Sequence, residues 1–254
     1  EEGKFYVWTK EELESVLGDY AALIIDYYNV KKSGNWENGE NILFKSYKSI
    51  ASKHKLSEEE LAKKVLVSKR LLLKERAKRI RPGLDDKMLT AWNAMMLKGF
   101  VDAYRVFGEK TYLNQALKTA NFINTQIKTE DNRLYRNFKN DKATINGFLD
   151  DYAFTIQAFI ALYQATFDEK WLKTAHELTD YAITHFYDDQ RNMFYYTSDV
   201  DPALIARKME VTDNVTPSSN SEMAKNLFLL GHYFHKPAYV ERAKKMLNNV
   251  KVNA

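Results

Sequence analysis

A helical pattern that occurs three times in the sequence limits the folds open to this chain. Its copies begin at Asn93, Tyr152 and Asn220 and align with one another without gaps. In each copy the first half is apolar on nearly every face, which indicates a helix that is covered on all sides. The second half has apolar residues at spacings of three and four, which indicates a helix with one solvent-exposed face. Each copy is therefore predicted to be a hairpin of an inner and an outer helix.

The segments that connect the hairpins are also similar to one another. Residues 131–138, 189–197 and 1–9 each combine a polar turn with alternating aromatic residues, which predicts a short strand. The low content of Gly and Pro, 9 and 4 residues, also favours long helices over a turn-rich β fold. Inner helices, outer helices and strands at one rim together predict an all-α fold, the α/α toroid of helical hairpins.

The number of hairpins bears on the domain organisation. Further hairpins are predicted within residues 10–30 and 44–79, which brings the count to four or five. A closed ring of six hairpins needs more chain than this. We therefore expect residues 1–254 to form a single α/α toroid domain or a fragment of one. The chain does not begin with Met, so we expect it to be a piece of a longer protein.

Composition excludes several classes of partner and chemistry. The formal charge of +4 is small against 38 basic and 34 acidic residues, which argues against a nucleic-acid or membrane partner. The absence of cysteine excludes disulfides and thiolate metal sites within this sequence. No apolar run reaches the roughly 20 residues that span a bilayer, and the N-terminus lacks a signal-peptide pattern. We expect a cytoplasmic protein without a metal or another cofactor.

The inner helices of such a toroid begin at one rim, and this rim is the predicted site. Unpaired N–H groups there favour anionic or hydroxyl-rich ligands. Converging carboxylates, amides and aromatic rings are typical of a sugar site. The aligned repeats give as rim positions Trp92 with Asn93, Asp151 with Tyr152, and Ser219 with Asn220, and place Asp85, Asp86, Asp150 and Asp213 shortly before them.

The residue types at the rim suggest which candidates are catalytic and which bind substrate. Four of the carboxylates form two adjacent pairs, Asp85–Asp86 and Asp150–Asp151, and capping a helix needs only one member of each pair. The other member is available for a salt bridge or for the acid–base chemistry of glycoside hydrolysis. Because Asp and Ser are common N-cap residues, helix capping is a competing explanation for every one of these positions. The catalytic candidates are Asp86, Asp151 and Asp213, and the substrate-binding candidates are Asp85, Trp92, Asn93, Asp150, Tyr152, Arg207, Ser219 and Asn220.

The five histidines argue against an epimerase and against a metal site. Sugar 2-epimerisation needs a base such as His near the reacting carbon, yet no histidine maps to the rim. His232 and His235 lack an evident third ligand for a metal. Hydrolysis would instead need two carboxylates about 5 to 10 Å apart.

Several motifs, taken together and in order, resemble one known family. They are "GKFYVWT", "GNWENGENIL", "RPGLDDKMLTAWN", "GFLDDYA", "WLKTA" and "RKMEVTDNVTPSSNS". The chain resembles the thioredoxin-domain-containing family typified by spermatogenesis-associated protein 20, with Ser219 where that family usually has Gly. The resemblance implies a C-terminal region similar to N-acylglucosamine 2-epimerase and six-hairpin glycosidase toroids, which follows a thioredoxin-like domain that is absent from this sequence. It implies no established biochemical activity.

Two functions are compatible with these features. The first is a carbohydrate-binding or carbohydrate-active domain, hydrolase-like or isomerase-like, with an acidic lumen. The second is a non-catalytic scaffold or client-binding domain that works with a thioredoxin-like domain in cis. Whether the protein is an enzyme is left open by the sequence.

Overall fold

The computed structural model describes residues 3–45, 49–202 and 205–252, with only the backbone described for residue 252. The chain divides into two compact units, Glu1–Asp85 and Asp86–Ala254. Each unit is built around its own cluster of buried apolar side chains. The expectation of a single toroid domain or fragment over residues 1–254 stays a prediction.

The first unit is helical, and two of its helices begin with the same local motif. Thr9 and Ser57 accept hydrogen bonds from the backbone N–H three residues later, while Glu12 and Glu60 bond back to the capping residue. This reciprocal arrangement satisfies donors that a helix end otherwise leaves unpaired. The described helices of the unit are α1 (Lys10–Leu17), α2 (Ala21–Tyr27), α3 (Ile50–Lys53) and α4 (Glu58–Arg76).

Parts of the first unit differ from the sequence-based expectation. Residues 10–30 form two short helices, and residues 44–79 pair a four-residue helix with a long one, so neither segment is a hairpin of two long helices. Residues 46–48 lie outside the described residues. In place of the strand expected within residues 1–9, Trp8 forms an isolated bridge with Asn41. The backbone turns between Gly3 and Tyr6, which prevents a longer extended segment.

The second unit contains the three hairpins that the repeat predicted, and these are confirmed. Each pairs an inner helix with the outer helix that follows it, after a turn of a few residues. The bounds are α5 (Thr90–Phe107) with α6 (Lys110–Phe122), α7 (Leu149–Thr166) with α8 (Glu169–Phe186), and α9 (Ser219–Tyr233) with α10 (Pro237–Val252). A single π-helical turn, Ile123–Ile127, extends α6.

Helix α7 lies at the centre of this unit. It packs against α8, and its flanks pack against α5 and α9. Most of its residues are buried, in agreement with the all-round apolar pattern of an inner helix. Outer helix α8 places Trp171 against Phe159, where the indole is almost fully buried. Trp171 is therefore a packing residue of the core.

Short strands follow the outer helices, as predicted for residues 131–138 and 189–197. The first sheet has the antiparallel order β1 (Met88–Leu89), β2 (Tyr135–Lys139) and β3 (Lys142–Asn146). Its register pairs Met88 with Phe138 and Tyr135 with Asn146. The second sheet pairs β4 (Tyr187–Asp188) with β5 (Met193–Phe194). The first sheet therefore links the start of α5 to the segment that leads into α7.

Gly147, between β3 and α7, is in close contact with the backbone of Leu134. Its N–H donates to the Leu134 carbonyl oxygen at 2.8 Å, and a Cβ at this position would lie 2.7 Å from that same oxygen. We expect Gly147→Ala to lower the free energy of unfolding by about 1–3 kcal/mol, because the backbone must shift to relieve the overlap. Chemical denaturation of the purified protein measures this change.

Gly99→Ala is the matched control. Gly99 lies inside α5, and a Cβ there has no neighbour within 4 Å. Alanine should raise the stability at this position by about 0.5–1 kcal/mol, because it lowers the entropy that a helical residue loses on folding. Equal effects of the two substitutions would contradict the close contact at Gly147.

Within residues 3–45, 49–202 and 205–252, no helix is both long enough and apolar enough to cross a bilayer.

Candidate functional site

The first turns of α5 and α7 are joined by the carboxylate of Asp151. One oxygen accepts the backbone N–H of Ala91 at 2.9 Å, and the other accepts that of Phe148 at 2.9 Å. The first bond links two hairpins, and the second caps the helix to which Asp151 itself belongs. The residue is fully buried. Asp151 therefore organises the helix ends and has no surface through which to contact a ligand.

Arg136 on β2 contacts both members of the acidic pair. Its Nη1 lies 3.1 Å from an oxygen of Asp150 and 3.2 Å from an oxygen of Asp151. The guanidinium also stacks over the ring of Phe148, with its carbon 4.6 Å from the ring centre. Strand β2 thus supplies the positive charge that allows two adjacent carboxylates to be buried.

Asp150 differs from Asp151 in its exposure. Its side chain is 18% exposed, whereas that of Asp151 is 0% exposed. The hydroxyl of Tyr196 donates a hydrogen bond to Asp150 in addition to the Arg136 contact. Asp150 is consequently the member of the pair that a ligand can reach, and Arg136 and Tyr196 hold its carboxylate in place.

Burial controls the proton affinity of this cluster. It raises the pKa of Asp150, and together with the charge of Asp150 it raises the pKa of Asp151 to about 8. Burial disfavours the charged guanidinium, yet the two carboxylates outweigh that effect and raise the pKa of Arg136. Burial and the Asp150 charge also raise the pKa of Tyr196, so its hydroxyl stays a donor at neutral pH. A carboxyl group with a raised pKa is suited to donate a proton.

The pKa of Asp151 predicts a pH dependence of stability. In an unfolded chain the pKa of an Asp is about 3.9. Between that pH and about 8, the folded state therefore binds the proton of Asp151 more tightly than the unfolded state does. The free energy of unfolding should therefore fall as pH rises through this window. We expect wild type to lose at least about 1 kcal/mol relative to Asp151→Asn between pH 4.5 and pH 8, since Asn does not titrate. Urea denaturation of both proteins across this range measures the difference, and parallel stability curves would contradict the raised pKa.

Trp92 and Asn93 lie in the same first turn of α5 as Ala91. Asn93 donates from its amide to the carbonyl of Leu89 at 2.8 Å and so stabilises the start of the helix. Trp92, in contrast, is 65% exposed. Because Ala91 bonds directly to Asp151, Trp92 is the next residue along α5 after this contact with the acidic pair.

Asp85 and Asp86 lie before the strand that precedes α5. Asp86 pairs with Lys139 on β2, with 2.5 Å between its oxygen and the ammonium nitrogen, and its side chain is half exposed. The hydrogen bond from Lys139 lowers the pKa of Asp86, which favours an ionised carboxylate. Asp85 is exposed and belongs to the first unit.

The candidate residues of the third hairpin form hydrogen bonds that hold the segment before α9 in place. Asn220 is buried and bonds to both backbone groups of Phe194 at 2.9 Å, and Ser219 donates to a carboxylate oxygen of Glu210 at 2.9 Å. Asp213 is exposed and accepts the backbone N–H of Ser218 at 2.8 Å. Asp213 also lines a cavity of about 570 Å³ together with residues of α9 and α10.

Tyr152 and Arg207 also have structural partners. The buried hydroxyl of Tyr152 accepts the backbone N–H of Leu134 at 2.8 Å, and its ring stacks on Tyr181. Arg207 donates to the carbonyl oxygen of Thr197 and stacks over Tyr195, with its guanidinium carbon 4.1 Å from the ring centre. The structure therefore brings together Asp150, Asp151, Trp92 and Asn93, while the other candidates bond to the elements around them.

Two contributors to this site, Arg136 and Tyr196, and one further buried charge, Glu222, were not identified from the sequence. Arg136 and Tyr196 lie in the connecting segments 131–138 and 189–197, whose repeated pattern predicted strands but no site residue. Glu222 is a charged residue inside an inner helix that is otherwise largely apolar, and it is almost fully buried. A buried Glu is rare unless it is paired, so its position in the inner-helix pattern was a usable signal.

Comparison with known proteins gives similar relatives along most of the chain. A family model described as the β-L-arabinofuranosidase GH127 catalytic domain matches residues 73–228. An uncharacterised protein of Caenorhabditis elegans is 31% identical, covering 96% of this chain and 37% of its own length. Human spermatogenesis-associated protein 20 is 28% identical, covering 92% of this chain and 34% of its own length. The chain thus spans about a third of the length of the curated relatives it matches, and the predicted resemblance to their family is confirmed.

Solved structures with a similar fold share little sequence with this chain. A sugar epimerase from a ruminal bacterium has a TM-score of 0.57 at 17% identity, covering 66% of this chain and 46% of its own. A GH76 α-mannanase of Bacteroides thetaiotaomicron has a TM-score of 0.56 at 16% identity, covering 70% and 46%. Such likeness shows the fold alone. The predicted class, an all-α toroid of helical hairpins with short strands, is confirmed.

Proposed function

Because the chain belongs to the family of the β-L-arabinofuranosidase GH127 catalytic domain, we propose that it carries a carbohydrate site at the N-terminal ends of α5 and α7. In this site Asp150 is the acid that faces the ligand. Asp151 positions the helix ends, and Arg136 and Tyr196 orient the Asp150 carboxylate. Asp86 and Asp213 stay predicted carboxylates of the same lumen.

One observation carries the proposal: Asp150 is the partly exposed member of a buried acidic pair. Burial raises its pKa, which favours the protonated form that a general acid requires. Aromatic faces contribute apolar contact area in ligand sites, while a few fixed polar groups determine orientation. Trp92 offers such a face in the adjoining helical turn. Together these groups provide stacking, hydrogen bonding and proton donation for a sugar.

The arrangement favours hydrolysis over epimerisation. His176 and His185 lie on the outer helix α8, and His176 contacts Phe234 and Tyr239 rather than the first turns of the inner helices. A sugar epimerase needs a base close to the reacting carbon. The carboxyl groups at the helix ends supply the acid that glycoside hydrolysis needs.

A ligand panel tests this function. We expect 4-nitrophenyl β-L-arabinofuranoside, mannose or cellobiose to raise the unfolding temperature of the wild-type chain. At a concentration 100 times the dissociation constant, the gain is about 2.7 kcal/mol. Asp150→Asn, run at the same sugar concentration, controls for the general stabilisation that sugars give to proteins. If the shift is absent, or is equal in this variant, the sugar site is refuted and the scaffold function is favoured.

A further inference from the structure

A loop of the first unit, residues 34–43, contains the motif "GNWENGENIL" and has an Asn-Gly pair in a tight turn. Asn38 and Gly39 both have positive φ, 54° and 77°, and the N–H of Glu40 donates to the carbonyl oxygen of Glu37 at 3.0 Å. A type I′ turn requires positive φ at both central residues, and Asn-Gly is one of its preferred sequences. Asn38 is exposed, and none of the interactions described for this loop involves its side chain. Its side-chain amide is therefore accessible to reaction.

The residue that follows an asparagine determines how easily the backbone attacks the asparagine side chain. The backbone nitrogen of that residue must come close to the side-chain amide carbon to close a five-membered ring. Glycine has no Cβ to obstruct this approach and has the widest choice of backbone angles. Gly39 thus supplies the most reactive neighbour that Asn38 could have.

The sequence contains a second Asn-Gly pair, Asn146–Gly147, and the fold holds that pair in place. Gly147 is buried, and its N–H donates to the carbonyl oxygen of Leu134 at 2.8 Å. The side-chain amide of Asn146 donates to a carboxylate oxygen of Asp201 at 3.1 Å. Ring closure there must break both hydrogen bonds, and such local opening costs free energy in a folded protein. The structure therefore protects Asn146 and leaves Asn38 exposed to the same chemistry.

We propose that Asn38 is a site of spontaneous covalent modification, at which the folded protein converts asparagine into a mixture of aspartate and isoaspartate. The reactants are this turn and water. The proposal is independent of the carbohydrate site, because all its residues belong to the first unit.

The reaction consumes one water molecule and releases one ammonia. The backbone nitrogen of Gly39 loses its proton and forms a bond to the side-chain amide carbon of Asn38. The bond from that carbon to the amide nitrogen breaks, and the nitrogen leaves as ammonia after it takes up the proton. Water then adds to one of the two carbonyl carbons of the cyclic imide. Opening at the side-chain carbonyl gives aspartate, and opening at the main-chain carbonyl gives isoaspartate.

The isoaspartyl product lengthens the backbone by one carbon within a tight turn. It also places a new carboxylate between Glu37 and Glu40, which carry the same sign of charge. The turn leads directly into Asn41, which is fully buried and exchanges two backbone hydrogen bonds with Trp8, at 2.7 and 3.0 Å. Modification should therefore weaken the connection between this loop and Trp8.

Peptide mass spectrometry of the wild-type chain, incubated in mildly alkaline buffer, tests the assignment. In the folded chain, conversion at Asn38 should be at least about tenfold faster than at Asn146, because Asn146 reacts only from a locally opened state. In urea, where both pairs are unfolded, the two rates should be similar. Equal rates in the folded chain, or a rate at Asn38 that rises on unfolding as much as that at Asn146, would overturn the proposal.

Two substitutions of Asn38 serve as controls. A protein-isoaspartate methyltransferase with labelled S-adenosylmethionine measures the isoaspartyl product, and Asn38→Gln should lose most of this labelling, because the longer side chain closes a ring much more slowly. Labelling of the folded variant at the wild-type level would contradict the assignment. Asn38→Asp carries the new charge on an ordinary backbone, so the incubated wild type should unfold at a lower urea concentration than this variant. Equal midpoints would overturn the effect on the loop.

Discussion

Replacing Asp150 by Asn is expected to reduce glycoside turnover by about 10²–10⁴-fold, the usual contribution of a positioned general acid. The amide is close in shape to the carboxyl group and can still contact Tyr196, but it has no proton of comparable acidity to donate. The loss should be larger for cellobiose, whose alcohol leaving group needs a proton, than for a 4-nitrophenyl glycoside, whose leaving group departs as an anion. Initial rates with both kinds of substrate measure this difference.

Asp168→Asn is the control for that substitution. Asp168 caps α8, an outer helix, by accepting the backbone N–H of Lys170 at 3.1 Å. Its replacement should have little effect on stability, because Asn is also a favoured N-cap residue, and should leave turnover unchanged. If Asp150→Asn and Asp168→Asn had the same kinetics as wild type, Asp150 would not be the acid.

Replacing Arg136 by Met is expected to lower the free energy of unfolding by about 3–5 kcal/mol. Met matches the aliphatic stem of Arg, so the loss comes mainly from the guanidinium with its charge and its hydrogen bonds. Without the guanidinium, Asp150 and Asp151 are two buried neighbours of the same sign with one donor fewer. Urea denaturation at pH 8, where both carboxylates are closest to ionised, should show the largest loss.

Arg133→Met provides the comparison. Arg133 precedes β2, and its side chain bonds to the hydroxyl of Tyr135 at 3.2 Å and has no buried carboxylate as a partner among its described contacts. We expect it to cost no more than about 1 kcal/mol. Adding Asp151→Asn to Arg136→Met should recover part of the loss, because it removes one of the unpaired charges. Equal losses in the two arginine variants would contradict the role of Arg136.

The fold could be predicted because its signal is periodic and local. Inner helix α7 is apolar on every face, and outer helix α8 carries apolar residues at spacings of three and four, so both could be identified from adjacent residues. The first unit was harder to predict. Its helices α1, α2 and α3 are short, and α1 begins at the capping residue Thr9 rather than where a periodic pattern starts.

The acidic pair was visible in the sequence, but the division of its roles was not. Capping by one aspartate was foreseeable, and Asp151 does cap α7. That Asp151 also binds Ala91, 60 residues away, depends on how two hairpins pack. The same holds for Arg136, which reaches the pair from a strand 14 residues earlier. Such contacts arise from tertiary structure, and no spacing along the chain encodes them.

The site of sugar contact can be tested directly with the tryptophans. The chain has 4 of them, Trp8, Trp36, Trp92 and Trp171, so a protein labelled with 5-fluorotryptophan gives four fluorine resonances that single Trp→Phe variants assign. In a titration with the sugar that gives the largest thermal shift, the resonance of Trp92 should move in a saturable manner, while that of the buried Trp171 stays fixed. Loss of this movement in Asp150→Asn would complete the expected result. A saturable shift at Trp36 with Trp92 unchanged would contradict a carbohydrate site at the ends of α5 and α7.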